Sequence, residues 1–331
     1  MLREAAETDY LKIWDIYMHE NVNPYMDYEL MDQDAFHTIF IEYQKTSKFY
    51  VLEKNNVIVA MCRLTQFEGS KSHIISIGSV GTNQKHLRHG YATTMLNSII
   101  LLVKETMPEI VRIELLVEED NNNALLMYKK LGFNYEATYP NWFKRFSGIY
   151  KDKASVSSFL LAKLIKKHTA ISPIQNTQSI IKEINQVSFT NYKNSNCNNY
   201  ANKLIKWYKL KQDRLINNYN LFVYGSREKT IATCFINSLN IQRCNGSVFI
   251  DLLTIDNNYI HKAKEILIEL VNLLAKQNMQ LIILSIISTD YRMLDICLDT
   301  GFKNNGLTKY SFKQPQLPYY LDKCILVKYL Y

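Results

Sequence analysis

Two stretches of this chain hold side chains whose types and spacing are suited to chemistry. The first is Val80-Gly81-Thr82, followed a few residues on by Arg88-His89-Gly90-Tyr91-Ala92-Thr93. A helix is expected to start at Gly90, because Met95, Leu96, Ile99, Ile100 and Val103 recur at three- and four-residue intervals. Backbone N–H groups at a helix start are unpaired and partly positive, so they bind anions, phosphate among them. Gly90 and Ala92 are small at alternate positions, which would let a pyrophosphate approach bare backbone, and His86, Arg88 and His89 add side-chain donors. Close packing of the helix on a strand would ask for the same small residues, so this stretch alone has two readings.

The second stretch is Asn121-x-x-Ala124-x-x-x-Tyr128-x-x-x-Gly132-Phe133. It reads as a short helix, with Asn121 to Asn123 able to cap its start and Gly132 able to end it. Together the two stretches resemble the GNAT superfamily of acetyl-CoA-dependent N-acetyltransferases. Val80 to Thr82 with Leu87 to Ala92 is similar to that family's pyrophosphate loop, and Asn121 to Phe133 to its second cofactor motif. The resemblance implies that Val80, Gly81, Thr82, Arg88, His89, Gly90, Tyr91, Ala92, Thr93, Asn121, Ala124 and Tyr128 contact acetyl-CoA as co-substrate. It further implies that Tyr128 protonates the leaving thiolate and that backbone N–H groups of Val80 to Thr82 polarise the thioester. Leu87 departs from the family pattern, which usually has Arg or Gln there; Arg88 is adjacent.

Acetyl transfer to an amine also needs the amine deprotonated. Relatives often carry Glu or His on the strand entering the turn, and the matching positions here are Ser76 and Gly78. His73, Glu114 and Glu68 are the substitutes in view, with a water relay or an acceptor arriving neutral as alternatives.

The elements that would position these groups follow from pattern. A first strand at Arg3 to Ala5 precedes a helix capped by Thr8 and running to about Glu20, its buried face made of Tyr10, Ile13, Trp14 and Tyr17 and widened by Leu11. Asn21 to Glu29 is a loop. In the family the corresponding loop lines the acceptor pocket, and its Tyr25, Asp27, Tyr28 and Glu29 would suit a cationic amine. A second helix is expected over Asp32 to Lys45, then strands at Lys48 to Leu52, Val57 to Leu64, Ile74 to Val80, Arg112 to Val117, Asn134 to Tyr139 and Ser158 to Leu164. This is a mixed α/β domain over residues 1–167, followed by a polar linker at 168–177.

Residues 178–331 repeat the plan: strands at Tyr219 to Tyr224, Thr230 to Asn237 and Val248 to Leu253, a helix from Ile260 to Lys276, a strand at Leu281 to Ile286, a helix from Arg292 to Leu298, and Gly301-Phe302. Thr82 to Gly132 spans 50 residues and Thr254 to Gly301 spans 47. The expected fold is therefore α/β with a mixed sheet, as two tandem GNAT-like domains. Lys262 and Lys264 stand where Gly90 and Ala92 stand, and Cys297 where Tyr128 stands, so the second domain is read as degenerate.

At 331 residues the chain accommodates two domains, and 47% apolar with 21% charged content suits a folded soluble protein. Six cysteines without a C-x-x-C pair argue against a disulfide framework or a metal site and for a reducing cytoplasm. Residues 1–150 carry 15 Lys+Arg and 19 Asp+Glu, net −4, and the remainder 24 and 12, net +12. An acidic partner or nucleic acid for the basic half, docking between the halves, or a solvated lysine-rich surface would each produce that imbalance. No signal-peptide pattern or eighteen-residue apolar run points to a membrane. The expected activity is acetyl transfer from acetyl-CoA to a primary amine of a small molecule or a protein. The rival reading is an acyl-CoA-binding sensor or scaffold without catalysis.

Overall fold

The computed structural model describes residues 1–145, 155–166, 188–191, 220–225, 230–237, 246–255, 257–288, 290–313 and 320–330. The chain divides into two compact units, with the main boundary between Lys167 and His168. The linker expected at 168–177 lies outside the described residues.

In the first unit β1 (Leu2–Glu4) pairs antiparallel with β2 (Lys48–Lys54). Between them α1 spans Tyr10–Tyr17 and α2 spans Gln33–Thr46. Asp32 caps α2, its carboxylate accepting from the Ala35 N–H at 2.8 Å. Two expectations for α1 are corrected. Thr8 is not its cap: residues 7–9 form a separate 3-10 turn, and the Asp9 carboxylate accepts from the Ala6 N–H at 2.9 Å and holds Arg3 at 2.6 Å. The helix ends at Tyr17, and its buried face is Ile13, Ile16 and Tyr17, with Leu11 42% exposed. That face packs with Phe36 and Phe40 of α2 on Phe49, Val51, Ile58 and Met61 of the sheet.

A two-residue turn at Asn55 and Asn56, both with positive φ, joins β2 to β3 (Val57–Gln66), as the twist of a tight hairpin requires. β3 pairs antiparallel with β4 (Ile74–Thr82), and β4 runs parallel to β5 (Arg112–Glu118) through the crossover helix α3 (Tyr91–Thr106). The buried residues of α3 are Met95, Leu96, Ile99, Ile100 and Val103, as the spacing requires. Next come α4 (Asn122–Lys130), β6 (Asn134–Lys144) and β7 (Ser155–Leu164), with β7 inserted antiparallel between β5 and β6. The order is β1-β2-β3-β4-β5-β7-β6, with α1 and α2 on one face and α3 and α4 on the other.

The second unit has the order β8-β9-β10-β11-β12-β14-β13, which is the same connectivity. Its strands are β8 (Ser188–Asn191), β9 (Asn220–Gly225), β10 (Thr230–Asn237), β11 (Ser247–Ile255), β12 (Leu281–Ile287), β13 (Lys303–Lys313) and β14 (Tyr320–Tyr329). Only the β11–β12 pair is parallel, as only β4–β5 is in the first unit, among the described residues. Helix α5 (Ala263–Lys276) forms that crossover and buries Ala263, Ile266, Leu267, Leu270 and Leu274. Helix α6 (Tyr291–Asp299) is capped by the Asp290 carboxylate, which accepts from the Met293 N–H at 3.1 Å. Residues 260–262, expected as the start of the long helix, belong to the 3-10 turn Asn257–Lys262.

Candidate functional site

The parallel ladder between β4 and β5 is short: Ile74↔Arg112, Ile75↔Ile113 and Ser76↔Glu114. Beyond it β4 continues against β3 to Thr82, and β5 continues against β7 to Glu118. The two central strands therefore splay, leaving main-chain groups on facing edges without a neighbouring strand. A β-bulge shapes the opening: pairing passes from Met61↔Gly81 to Arg63↔Gly78, so three steps on β4 face two on β3, with Ser79 at φ 50°. The Asn83 N–H donates to the Val59 carbonyl at 3.0 Å, so by strand alternation Gly81 also faces β3, while the N–H groups of Val80 and Thr82 face the splay. Gly81 has a packing duty besides: a Cβ there would meet Ile16 Cγ2 at 2.9 Å and Met61 Cε at 3.1 Å.

The turn from β4 to α3 presents its backbone. Arg88 has φ 63° and Gly90, the residue before the helix, φ 73°, and these left-handed residues turn successive N–H groups toward one concavity. Among the described residues, no acceptor takes a hydrogen bond from the N–H groups of Leu87 through Thr93. A Cβ built on Gly90 meets nothing within 4 Å, so the space over the turn is open. The His89 and Tyr91 rings stack 5.5 Å apart beside it, and the Lys54 ammonium lies 5.3 Å from the Tyr91 ring. Arg88 is exposed. The arrangement is an anion cradle of backbone donors at a helix start.

Helix α4 approaches the same opening. The Asn121 side chain accepts from the Ala124 N–H at 3.3 Å and so caps α4, Ala124 packs into the core, and Gly132 ends the turn at φ 80°. Tyr128 is 5% exposed and packs edge-on against Phe133, with ring centres 5.8 Å apart. Burial first, then the neighbouring Glu118 and Cys62, push its phenol well above the ordinary value, so the hydroxyl keeps its proton.

Glu118 is the residue that sequence reasoning passed over. Ile113, Leu115 and Val117 of β5 face α3 and α4, so by alternation Glu118 points to the other face, the side of the α1–α2 loop. It is 7% exposed, and burial pushes its carboxyl up to about 8. Asp27 and Asp120 push in the same direction, while a hydrogen bond from its own backbone and the nearby Arg145 oppose. A carboxyl that exchanges its proton near neutrality thus stands at the splayed end of β5, with Tyr128 on the opposite face of the sheet.

Of the positions in view for a base, Gly78 and Glu114 are occupied by arginine contacts, and His73 and Glu68 lie at the far end of β4. Gly78 has a structural reason: a Cβ there would lie 3.1 Å from Arg63 Nη2, so the guanidinium occupies the place a side chain would take. Arg63 pairs with Asp27 at 2.8 Å and lies 4.1 Å over the Tyr43 ring, and the Tyr43 hydroxyl donates to Asp27 at 2.9 Å. Glu114 bonds Arg112 at 2.8 Å, and Glu136 bonds it at 2.7 Å from the other side. His73 precedes β4 at the end remote from Thr82, roughly 30 Å away along the strand. Glu68 lies in the β3–β4 connection at that same end.

In the α1–α2 loop, Asp27 already meets Arg63, and the Tyr25 ring already has the Arg145 guanidinium 5.1 Å from its centre. The loop is thus held by internal cations. Tyr28 lies edge-on to Tyr43 at 5.9 Å, and Glu29 is 8% exposed. Among the described residues there is no cluster of three His, Cys, Asp or Glu side chains placed to hold a metal, and no helix is long and apolar enough to cross a membrane.

The second unit differs at the corresponding places. Its parallel ladder also stops early, at Ile250↔Leu284. The 3-10 turn Asn257–Lys262 runs directly into α5, so the N–H groups at the start of α5 itself lie inside continuous helical turns. Tyr259, Met293, Cys297 and Cys324 are buried in one apolar cluster, and burial pushes the Cys297 thiol up to about 12.

Residues 10–133 match the model of the Acetyltransferase (GNAT) family. No curated protein matches the chain. Among solved structures, the chain is similar to an N-acetyltransferase from Staphylococcus aureus Mu50, with 17% identity and a TM-score of 0.43 over 50% of this chain and 98% of that one. It is also similar to a ribosomal-protein-alanine N-acetyltransferase from Brucella melitensis, with 17% identity and a TM-score of 0.42 over 50% and 99%. A third is the spermidine N-acetyltransferase from Vibrio cholerae in complex with CoA and spermine, with 17% identity and a TM-score of 0.43 over 50% and 94%.

Proposed function

We propose that this chain, whose residues 10–133 match the model of the Acetyltransferase (GNAT) family, is an acetyl-CoA-dependent N-acetyltransferase acting on a primary amine. The observation that carries the reading is the run of unengaged N–H groups from Leu87 to Thr93, opening beside a splay flanked by Glu118 and Tyr128. The N–H groups would hold the pyrophosphate, with Arg88 and His89 adding charge at its rim. The N–H groups of Val80 and Thr82 would bind the thioester oxygen as it gains charge. Glu118, on the side of the α1–α2 loop, would take the proton of the attacking amine nitrogen. As the carbon–sulfur bond breaks, Tyr128 would give its proton to the departing sulfur and regain one from solvent. Asn121 and Ala124 serve this scheme by fixing α4 and with it Tyr128. The second unit keeps the connectivity but has neither an open cradle nor a tyrosine at Cys297, which supports a single working site per chain.

The test is calorimetric titration of the full chain with acetyl-CoA. One site per chain, lost in Gly90→Glu, is the expected result. Two sites would overturn the assignment of the second unit. Absence of binding by the wild type would overturn the whole reading. Release of free thiol from acetyl-CoA in the presence of amines then separates a transferase from a protein that only binds acyl-CoA.

A further inference from the structure

One deeply buried charge plays no part in the scheme above. Arg145, just past β6, is 1% exposed. Its Nη1 and Nη2 donate to the two carboxylate oxygens of Asp120 at 2.8 and 3.0 Å, and its Nε donates to the Pro24 carbonyl at 2.9 Å. It therefore joins the turn after β5 to the α1–α2 loop, with its plane near the Tyr25 and Phe143 rings. Arg112, equally buried, meets two carboxylates, Glu114 and Glu136, near the start of β5. Among the described residues Arg145 holds the carboxylate of Asp120, which lies two residues beyond Glu118.

We propose that Arg145 is a positioning residue that acts through Glu118: its charge, held in place by Asp120, sets how readily the buried carboxyl gives up its proton. The inference rests on Glu118 being the proton acceptor. The groups whose charge bears on Glu118 are Arg145 itself, Asp27 from the α1–α2 loop and Asp120 from the turn, with the Tyr128 hydroxyl on the other face of the sheet. Asp27 is engaged by Arg63, and Tyr128 is neutral. The Arg145–Asp120 pair therefore places a buried cation and an anion at the end of β5 that carries Glu118, with opposite effects on its carboxyl.

Opposite effects give a test that a merely structural role would not pass. The Glu118 carboxyl is titrated by carbon-13 NMR in the full chain without acetyl-CoA, in wild type, Arg145→Gln, Arg145→Lys and Asp120→Asn. Arg145→Gln removes the cation and should raise the proton affinity of Glu118 about three- to tenfold. Asp120→Asn, which is nearly isosteric, should lower it by a similar factor, and Arg145→Lys should stay near wild type. The acid limb of acetyl-CoA hydrolysis should move with each titration. Shifts of the same sign in Arg145→Gln and Asp120→Asn, no shift in either, or Arg145→Lys behaving as Arg145→Gln would overturn the proposal. Because the titration needs no acetyl-CoA, failure of the transferase reading registers separately, as wild type that neither binds nor hydrolyses it.

Discussion

Replacing Glu118 by Gln should raise stability at alkaline pH while lowering turnover. Burial moves its carboxyl from an ordinary 4.5 to about 8, so the folded protein binds this proton more tightly than the unfolded chain does. The stability tied to that proton is intact below the unfolded value and is lost as pH rises through the folded one. Each tenfold change in proton affinity corresponds to ~1.4 kcal/mol, so the loss approaches a ceiling of ~5 kcal/mol above pH ~8. A glutamine has the shape of the protonated carboxyl and does not ionise. Urea unfolding of both proteins across the pH range should give matching stabilities in acid and curves that diverge between pH ~5 and ~8, the variant ending more stable. Turnover of acetyl-CoA should fall by ~10² or more. Parallel stability curves would refute the assignment of a buried, proton-retaining carboxyl, whatever happened to activity.

Tyr128→Phe keeps the edge-on packing with Phe133 and removes only the hydroxyl, so acetyl-CoA affinity should hold while turnover falls ~10²-fold. Unchanged turnover in a steady-state assay would remove Tyr128 as the acid. Arg112→Met leaves Glu114 and Glu136 facing a vacated buried cation site, and should cost ~3–5 kcal/mol in denaturant unfolding. A cost under ~1 kcal/mol would show that the two carboxylates take up protons or water instead of relying on the arginine.

The parts of the fold legible in the sequence are those set by local pattern. The buried face of α3, the Asn121 cap with its Gly132 stop, and the strand–helix–strand frame around both all follow from spacing within a single element. In α1 the same reasoning chose Leu11 over Ile16, because two adjacent stripes of a short helix are nearly equal in apolar content and the packing of α2 decides between them. Strands β13 and β14 went unread: β13 is rich in Lys and Asn, and β14 is interior only because it inserts between β12 and β13. Glu118 was hidden for a related reason. A glutamate at a strand end ordinarily faces water, and its burial depends on groups distant in sequence, such as the Arg145 that reaches back 121 residues to Pro24. Gly78 shows the converse, a glycine whose meaning lies in the guanidinium lying over it.

The splay has a mechanical consequence. Three ladder pairs join β4 to β5 at the middle of the first unit's sheet, and beyond them the two strands are held together by the helices packed over them and by side chains, not by main-chain bonds to each other. A ligand lying in the opening, bonded to the exposed edges of both strands, would act as a rivet between them. Its binding energy would then appear as resistance to opening at that seam, and amide exchange at Val80, Thr82 and Leu87 to Thr93 would slow before the outer strands changed at all.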